Sequence, residues 1–594
     1  MISRSGSRRP GGDPRSAGRL RRRGRARARP SGPGQWRGSE PQRWRRRREE
    51  GEQQQQPQQQ QQQEEEEEEE AGGLLAPLMG ELDRMAPSFD VRGEDIRIIR
   101  TPAEFYEALK DRIRNAKKRI FLSTLYIGKS ERELIEALGD ALRRNGDLRL
   151  SILTDALRGT RESPNPSCAS LLAPLVAEFG AERVEVRMYH TPNLTGMRKQ
   201  YIPKRINEGW GLQHMKLYGV DDEIIMSGAN LSTDYFTNRQ DRYHLFSSKA
   251  ITDHFWNLHS GVSSLSFLVD PCPSAAGYSL SWPASNAAPS PLLNPRAFIR
   301  HATHALQPLL APKQQSSPLP PPPSSSSSSS SSSCSSSSLG SQQAPDTRVY
   351  MLGQMTQVMR PDGSTELPVL MRILERLATP SYAGSAWTFT AGYFNPDPSL
   401  TRLLLGTRAR SGVVITAAPE ANGFYRSRGV SGLLPDAYVL LARRFLQAVH
   451  DRARVSPGPG PGAGAGAGAG ADTSPPTPRQ VALKEWRLGT AGRPGGWTYH
   501  AKGLWVTLPG DAAPSVSIVG SSNYTRRSYS LDLEAGALVV TRNEALRRRL
   551  GEEQAWLQEH AGEVTLDDFT RLERRVSLKV RVAMWIVRVV GGAL

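Results

Sequence analysis

The chain of 594 residues carries a formal charge of +18, from 77 Lys and Arg against 59 Asp and Glu, and is 38% hydrophobic. Residues 1 to about 73, 313 to 345 and 455 to 478 are Arg/Gly, Gln/Glu, Pro/Ser and Gly/Ala tracts that cannot build a packed core, which leaves roughly 460 residues for one large or two ordinary domains. The three scattered cysteines, Cys168, Cys272 and Cys334, exclude a disulfide framework and argue against a structural zinc site, and no apolar run approaches the ~18 residues of a membrane-spanning helix.

Charge is distributed unevenly. Residues 1–48 hold 17 Arg against Asp13 and Glu40, and residues 49–70 hold ten Glu and no base. The Arg- and Ser-rich leader lacks the apolar stretch of a secretory signal and resembles an organellar transit peptide. A disordered basic tail is the competing reading, because no clean amphipathic helix runs through Arg19 to Arg29. The basic balance of the remainder points to phosphorylated substrates, an anionic membrane or nucleic acid.

Beyond the leader, Phe105–Ala116 has helical spacing, Arg119–Tyr126 reads as a strand, Glu131–Arg144 is again helical and Leu148–Leu153 is a second strand. The same cadence returns after the serine tract. Leu367–Leu377 is helical, Trp387–Thr390 is strand-like, Leu400–Leu405 is helical and Val413–Thr416 is a strand. Alternation of this kind predicts an α/β layer architecture, and its recurrence predicts two related halves.

The chemistry lies in a doubled motif. His214-Met215-Lys216 is followed by Asp221 and by Ser227-Gly228-Ala229-Asn230, and His500-Ala501-Lys502 by Gly520-Ser521-Ser522-Asn523. Asn230 precedes Asp241 by 11 residues, and Asn523 precedes Glu534 by the same 11. Each half therefore supplies His, Lys, Asn and a carboxylate in one order. An isolated His-x-Lys carries little information, whereas this duplication with matched spacing specifies a site.

Period-two geometry puts His214 and Lys216 on one face of a strand. If the halves face each other, two His, two Lys and two Asn converge on one ligand. Lysine charge and amide donors suit the non-bridging oxygens of a phosphodiester. One imidazole can attack phosphorus while the other protonates the leaving oxygen, a division of labour that histidine alone supports near neutral pH. Asp241 and Glu534 can hold the second ring nitrogens. By contrast, His254, His259, His301 and His304 read as packed or surface residues. Gly128-Lys129-Ser130 imitates a phosphate-binding loop without its first glycine, since Ser123 stands there.

These motifs resemble those of the phospholipase D superfamily. Within it, the chain is similar to the mitochondrial phosphatidylglycerophosphate synthases. The likeness rests on HMKLYGVDDEIIMSGANLSTDYFTNRQDRY from His214, TAGYFNPDPSLTRLLLGTRAR from Thr390 and PEANGF from Pro419, with WTYHAKGLWV from Trp497 and GSSNYTRRSYSLDLEA from Gly520. The resemblance implies an α/β fold of two similar halves, each a mixed sheet flanked by helices, packed as a pseudo-twofold pair around the active site. The expected organisation is a leader over 1–87, a first half over 88–268, a linker over 269–347, a second half over 348–569 with an insertion at 455–478, and a tail over 570–594.

It further implies transfer of a phosphatidyl group from CDP-diacylglycerol to sn-glycerol 3-phosphate through a phosphatidyl-histidine, without metal or other cofactor. The implied catalytic residues are His214, Lys216, Asp221, His500 and Lys502, the phosphate-binding residues Asn230, Asn523 and Ser521, and the histidine-orienting residues Asp241 and Glu534, acting within or across halves. An inner-mitochondrial, peripheral enzyme with no nucleic-acid partner follows. Another acceptor, as in a phospholipase, a nuclease or a phosphatidylserine synthase, is the alternative; an inert basic binding protein is a third reading, opposed by the intact motifs.

Departures from the family pattern are local. Thr507 stands where an Asp would complete the second motif, and Leu508–Ser515 reads as a loop insertion. Arg198, Lys199, Lys204 and Arg205 either face phosphates or form a solvated loop. In the tail, Arg574, Arg581 and Arg588 recur every seven residues, with Leu578, Val582, Trp585 and Val589 roughly opposite on a helix. That suits an interfacial helix on an anionic bilayer. Alternation of Val576, Leu578, Val580, Val582 and Met584 allows a strand instead.

Overall fold

The computed structural model describes residues 73–161, 166–202, 207–312, 344–455 and 480–589. The transit-like leader, the serine tract, the Gly/Ala run, Cys334, Lys204 and Arg205 lie outside these residues.

Two nine-stranded sheets organise the described chain. The first runs, edge to edge, β11 (Tyr278–Ser281), β10 (Phe267–Pro271), β5 (Val184–Tyr189), β4 (Arg149–Asp155), β3 (Arg119–Ser123), β6 (Leu217–Val220), β7 (Glu223–Ser227), β9 (Tyr243–Ser247) and β2 (Ile96–Ile99). The second runs β20 (Ala561–Glu563), β15 (Gln480–Trp486), β14 (Ser411–Ala417), β13 (Ala386–Ala391), β17 (Lys502–Thr507), β18 (Val516–Gly520), β19 (Glu534–Thr541), β12 (Thr347–Gln354) and β1 (Ser88–Val91).

Laid over each other, the series β5-β4-β3-β6-β7-β9-β2 and β15-β14-β13-β17-β18-β19-β12 agree in order and in sense. Three strands are parallel. The remaining pairings are antiparallel. The two halves are thus a structural repeat. The opening strands cross over: β1 adds to the sheet of the second half, whereas β2 completes the first.

The expected elements form with small shifts of boundary. Pro102–Arg114 begins at a Thr101 cap that accepts from the Glu104 N–H, with proline in its first turn. Arg132–Arg144 buries Leu134, Leu138 and Leu142, the spacing-four set, on one face. Residues 508–515 connect β17 to β18, where a loop insertion is expected. Composition assigns residues 75–82 to the leader, and the structure corrects this. Leu75–Leu82 is a helix whose Leu75, Leu78, Met79 and Leu82 are buried against Tyr350, Leu370 and Leu374. The neighbouring Glu run masks this short apolar face.

Apolar packing falls into layers. A shared core joins Phe121, Leu153, Met215 and Met226 of the first half to Met351, Trp505, Val519 and Ala535 of the second. Separate cores cover the outer faces. Charge also crosses between the halves, through a fully buried cluster. Arg242 donates to Glu553 (3.0 and 2.7 Å), its guanidinium carbon lies 3.8 Å from the Trp505 ring centroid, and His244 Nε2 is 3.0 Å from Glu553. The tail question resolves as a helix, Leu578–Val589. Arg574 precedes it and is taken up by Glu485, so it is no part of a helical arginine face.

Candidate active site

The two motifs meet between the sheets, and the backbone explains how. Just ahead of each His-x-Lys, the chain pairs with the segment that precedes the other half's carboxylate. β16 (Thr498–Tyr499) pairs in parallel with β8 (Arg239–Gln240), and Gln213 bridges to Leu533 in the same sense. The His500 N–H donates to the Gln240 carbonyl (2.8 Å), and the His214 N–H donates to the Leu533 carbonyl (2.9 Å). Gln240 and Leu533 immediately precede Asp241 and Glu534. Each carboxylate is therefore delivered to the histidine of the opposite half.

The side chains follow. His214 Nδ1 lies 2.9 Å from Glu534 Oε2, and His500 Nδ1 lies 2.6 Å from Asp241 Oδ2. Fixing Nδ1 turns Nε2 of each ring away from its carboxylate and sets the tautomer, the role of an orienting acid. Lys216 Nζ donates to the His214 carbonyl at 2.6 Å. Lys502 Nζ donates to the His500 carbonyl at 2.9 Å and lies 3.8 Å from Asp241. Gly228 is required by this crowding, since a Cβ there would stand 2.8 Å from Asp241 Oδ1 and 2.9 Å from Lys502 Nζ.

Asn230 and Asn523 each keep a buried side-chain carbonyl oxygen with no partner among the described residues. Either orientation leaves one polar end of each amide for a ligand. Asn230 Nδ2 donates to Tyr235 Oη (3.2 Å), which lies 3.3 Å from His500 Nε2.

Two expected site residues are placed elsewhere. Asp221 sits at the β6–β7 turn with φ 51°, at the end of β6 remote from His214. Its carboxylate accepts from the Lys117, Lys118 and Arg119 N–H groups at 2.8, 2.7 and 3.1 Å. Asp221 thus caps a strand entry and belongs to the fold, not to the catalytic set. Ser521 donates to Glu534 and to the Ala535 carbonyl. It steadies the carboxylate behind His214 instead of facing a phosphate.

Other lookalikes are also accounted for by packing. His259 is held between Ser123 (2.8 Å) and Ser151 (2.9 Å). His254 stacks edge-on with Phe89. Lys129 donates to the Arg161 carbonyl. Arg198 and Lys199 lie on the short helix Gly196–Tyr201, which buries none of its residues.

Sequence reasoning passed over the aromatic walls. The rings of Tyr235 and Tyr393 meet His500 edge-on at 5.1 and 5.4 Å. Both lie in the quoted stretches, Tyr235 five residues after Asn230 and Tyr393 in GYFN, but no spacing rule marks an aromatic as a wall.

Burial dominates the electrostatics. It pulls Lys216 down to about 7 and Lys502 to about 8, and pushes Asp241 up to about 6 and Glu534 to about 7. Both histidines are held well below their ordinary value, first by burial and then by the adjacent lysine. Asp532 opposes that trend at His214, whereas Arg239 adds to it at His500.

A family profile described as "Cardiolipin synthase, PLD-like domain" matches residues 109–260. The CDP-diacylglycerol–glycerol-3-phosphate 3-phosphatidyltransferase of Saccharomyces cerevisiae is 40% identical over 511 residues, covering 84% of this chain and 88% of the yeast protein. The mitochondrial enzyme of that name from Homo sapiens is 34% identical over 520 aligned residues, covering 85% of this chain and 84% of the human one. Among solved structures, a phosphatidylserine synthase from Haemophilus influenzae superposes with a TM-score of 0.58 at 19% identity. The alignment takes in 87% of this chain and 97% of that one, a likeness of fold. With its doubled His-x-Lys site and these relatives, the chain belongs to the CDP-diacylglycerol–glycerol-3-phosphate 3-phosphatidyltransferase family of the phospholipase D superfamily.

Proposed function

We propose that the chain transfers the phosphatidyl group of CDP-diacylglycerol to sn-glycerol 3-phosphate, yielding phosphatidylglycerophosphate and CMP, at the surface of the mitochondrial inner membrane. The reaction comes from the relatives' name. The observation that carries the mechanism is the crossed pairing of two imidazoles with two carboxylates beside two lysines.

Charge counting supports a phosphodiester ligand. Two ammonium groups balance two carboxylates, so the centre is neutral while both imidazoles are neutral. The phosphoryl group under attack adds one negative charge, which one imidazolium balances, while the second charge of the pyrophosphate lies on the departing CMP. The loaded site then contains one neutral ring to attack and one protonated ring to donate.

His214 Nε2 attacks the phosphorus that bears diacylglycerol, and the bond from that phosphorus to the CMP oxygen breaks. His500 gives its Nε2 proton to that oxygen as CMP leaves. His500 then takes the proton of the acceptor's primary hydroxyl, whose oxygen attacks phosphorus as the P–N bond to His214 breaks. The amides of Asn230 and Asn523 and the lysine charges stabilise the equatorial oxygens as their charge grows. His500 Nε2 already contacts the Tyr235 hydroxyl, which suits the ring that handles protons.

Trapping tests the reading. Incubation with CDP-diacylglycerol labelled in the phosphatidyl phosphorus, quenched without acid because the P–N bond is acid-labile, is expected to leave label on His214. It is expected to release one CMP per chain without acceptor, apart from slow hydrolysis. Label on another residue, or turnover with serine or water but not with glycerol 3-phosphate, would overturn it.

A further inference from the structure

A surface helix of a water-soluble face buries its apolar stripe and shows its polar one. The helix Leu578–Val589 leaves a second apolar stripe in the open. Val580 is its buried anchor, 1% exposed, whereas Leu578, Val582 and Trp585 are 75%, 48% and 64% exposed. At 100° per residue these three lie within one 60° arc on the side facing away from Val580. Arg581 flanks that arc; it does not lie opposite, as the heptad count suggests.

Beside it, Arg443 and Arg444 of the helix Leu434–Val455 join Arg581 around a cavity of about 310 Å³, completed by Leu440 and Gln447. No acidic side chain among the described residues lines the cavity. Among the described residues, none of these three guanidiniums is ion-paired.

We propose that this outward apolar arc and the adjoining three-arginine cavity form a docking site for an anionic phospholipid bilayer, with Trp585, Val582 and Leu578 entering the interface and the cavity receiving a lipid phosphate. Charge complementarity names the occupant. An apolar stripe alone would suit any hydrophobic partner, whereas guanidiniums without counter-ions at its margin match a surface that is anionic outside and apolar beneath. None of these residues belongs to the catalytic set, so the test needs no substrate, and failure of the transferase reading leaves the proposal standing.

The full chain is floated with vesicles of phosphatidylcholine alone or with about one-third phosphatidylglycerol. Partition is expected to be about a hundredfold stronger on the anionic vesicles. Each arginine contributes about fivefold, so the triple variant Arg443→Gln/Arg444→Gln/Arg581→Gln is expected to lose about a hundredfold, to the neutral-vesicle level. Val582→Ser/Trp585→Ser is expected to lose about tenfold or more on both vesicle types. Both variants are expected to keep wild-type turnover of short-chain substrate dispersed in detergent.

Brominated lipid provides an independent reading, since its quenching of tryptophan emission is expected to shrink when Trp585→Phe is introduced. Equal binding of the arginine triple to anionic vesicles, or quenching indifferent to Trp585, overturns the proposal. So does release of the protein by millimolar inorganic phosphate at constant ionic strength, which would make the cavity a site for free phosphate. Capture of duplex DNA in place of vesicles would overturn it as well.

Discussion

Replacing Asp241 by Asn tests the crossed pairing with little change of shape. Asp241 Oδ2 accepts from His500 Nδ1 at 2.6 Å, and Lys502 Nζ stands 3.8 Å away. A hydrogen bond to a charged group contributes about 1.5–3 kcal/mol. With an effective dielectric of about 20, a unit charge at that lysine's distance interacts by roughly 4 kcal/mol, part of which the solvating amide recovers. A loss near 3 kcal/mol is therefore expected in the steps that need protonated His500, about a hundredfold in kcat.

The sign of the pH effect follows. Removing a negative charge lowers the imidazolium pKa, so the alkaline limb of kcat moves down, by about two pH units for 3 kcal/mol. A substrate with a nitrophenolate leaving group separates the roles, because that group departs without a proton. Asp241→Asn and His500→Ala are then expected to approach the wild-type rate of label transfer to protein, whereas His214→Ala stays inactive. An Asp241→Asn enzyme with wild-type kcat and an unmoved alkaline limb would refute the crossed scheme, as would equal rescue of His214→Ala.

Gly228→Ala is expected to lower kcat by tenfold or more with a melting temperature near that of wild type, because its Cβ displaces Asp241 and Lys502; unchanged kinetics would remove the crowding argument. Asp221→Ala is expected to destabilise the protein by about 1–3 kcal/mol in urea unfolding while kcat stays near wild type, since three backbone donors lose their acceptor far from the histidines. Collapse of kcat at full stability would return Asp221 to the catalytic set. Glu553→Gln leaves Arg242 buried without its counter-charge and is expected to cost about 3–5 kcal/mol, measured by denaturant titration. Glu553 is held down to about 2 by Arg242 and His244 against its burial. Its contribution is fully present above the unfolded value of 4.5 and disappears as pH falls towards 2, so the acid-unfolding limb should flatten in the variant.

The duplication of His, Lys, Asn and acid was legible because two copies at equal spacing survive 594 residues of otherwise diverged sequence. Layer order was legible because helical and strand periodicities recur in the same order. The exchange of carboxylates was not. An 11-residue interval is the same whether Asp241 serves His214 or His500, and only the parallel contacts of β8 with β16 and of Gln213 with Leu533 decide it. Asp221 and Ser521 lie away from their expected places for one reason: sequence proximity to a catalytic residue does not fix direction. Five residues along β6 from Lys216 carry Asp221 to the far end of the strand, about 16 Å away at strand rise, and the Ser521 hydroxyl has a closer acceptor in Glu534. The crossover of β1 was hidden because four residues carry no record of which sheet edge they join.

A site built from a repeat still needs two different histidines, and the charges two residues before each carboxylate supply the difference. Aligned on Asn230 and Asn523, Asp234 corresponds to Arg527 and Arg239 to Asp532. Both halves form the same pair, Arg239 with Asp234 at 3.1 Å and Arg527 with Asp532 at 3.0 Å, with the signs exchanged. The cation of the first pair acts on His500, whereas at His214 the anion of the second pair acts more strongly than its partner Arg527, which opposes it. A ring beside an anion is the more basic and the better nucleophile, and a ring beside a cation gives up its proton more readily. The two rings thereby differ in basicity, the inequality that any division of labour between them requires. Reversing the two pairs together, by Asp234→Arg/Arg239→Asp with Arg527→Asp/Asp532→Arg, preserves net charge and is expected to slow release of CMP far more than release of nitrophenolate. Equal slowing of both leaving groups would show that the exchanged pairs serve packing alone.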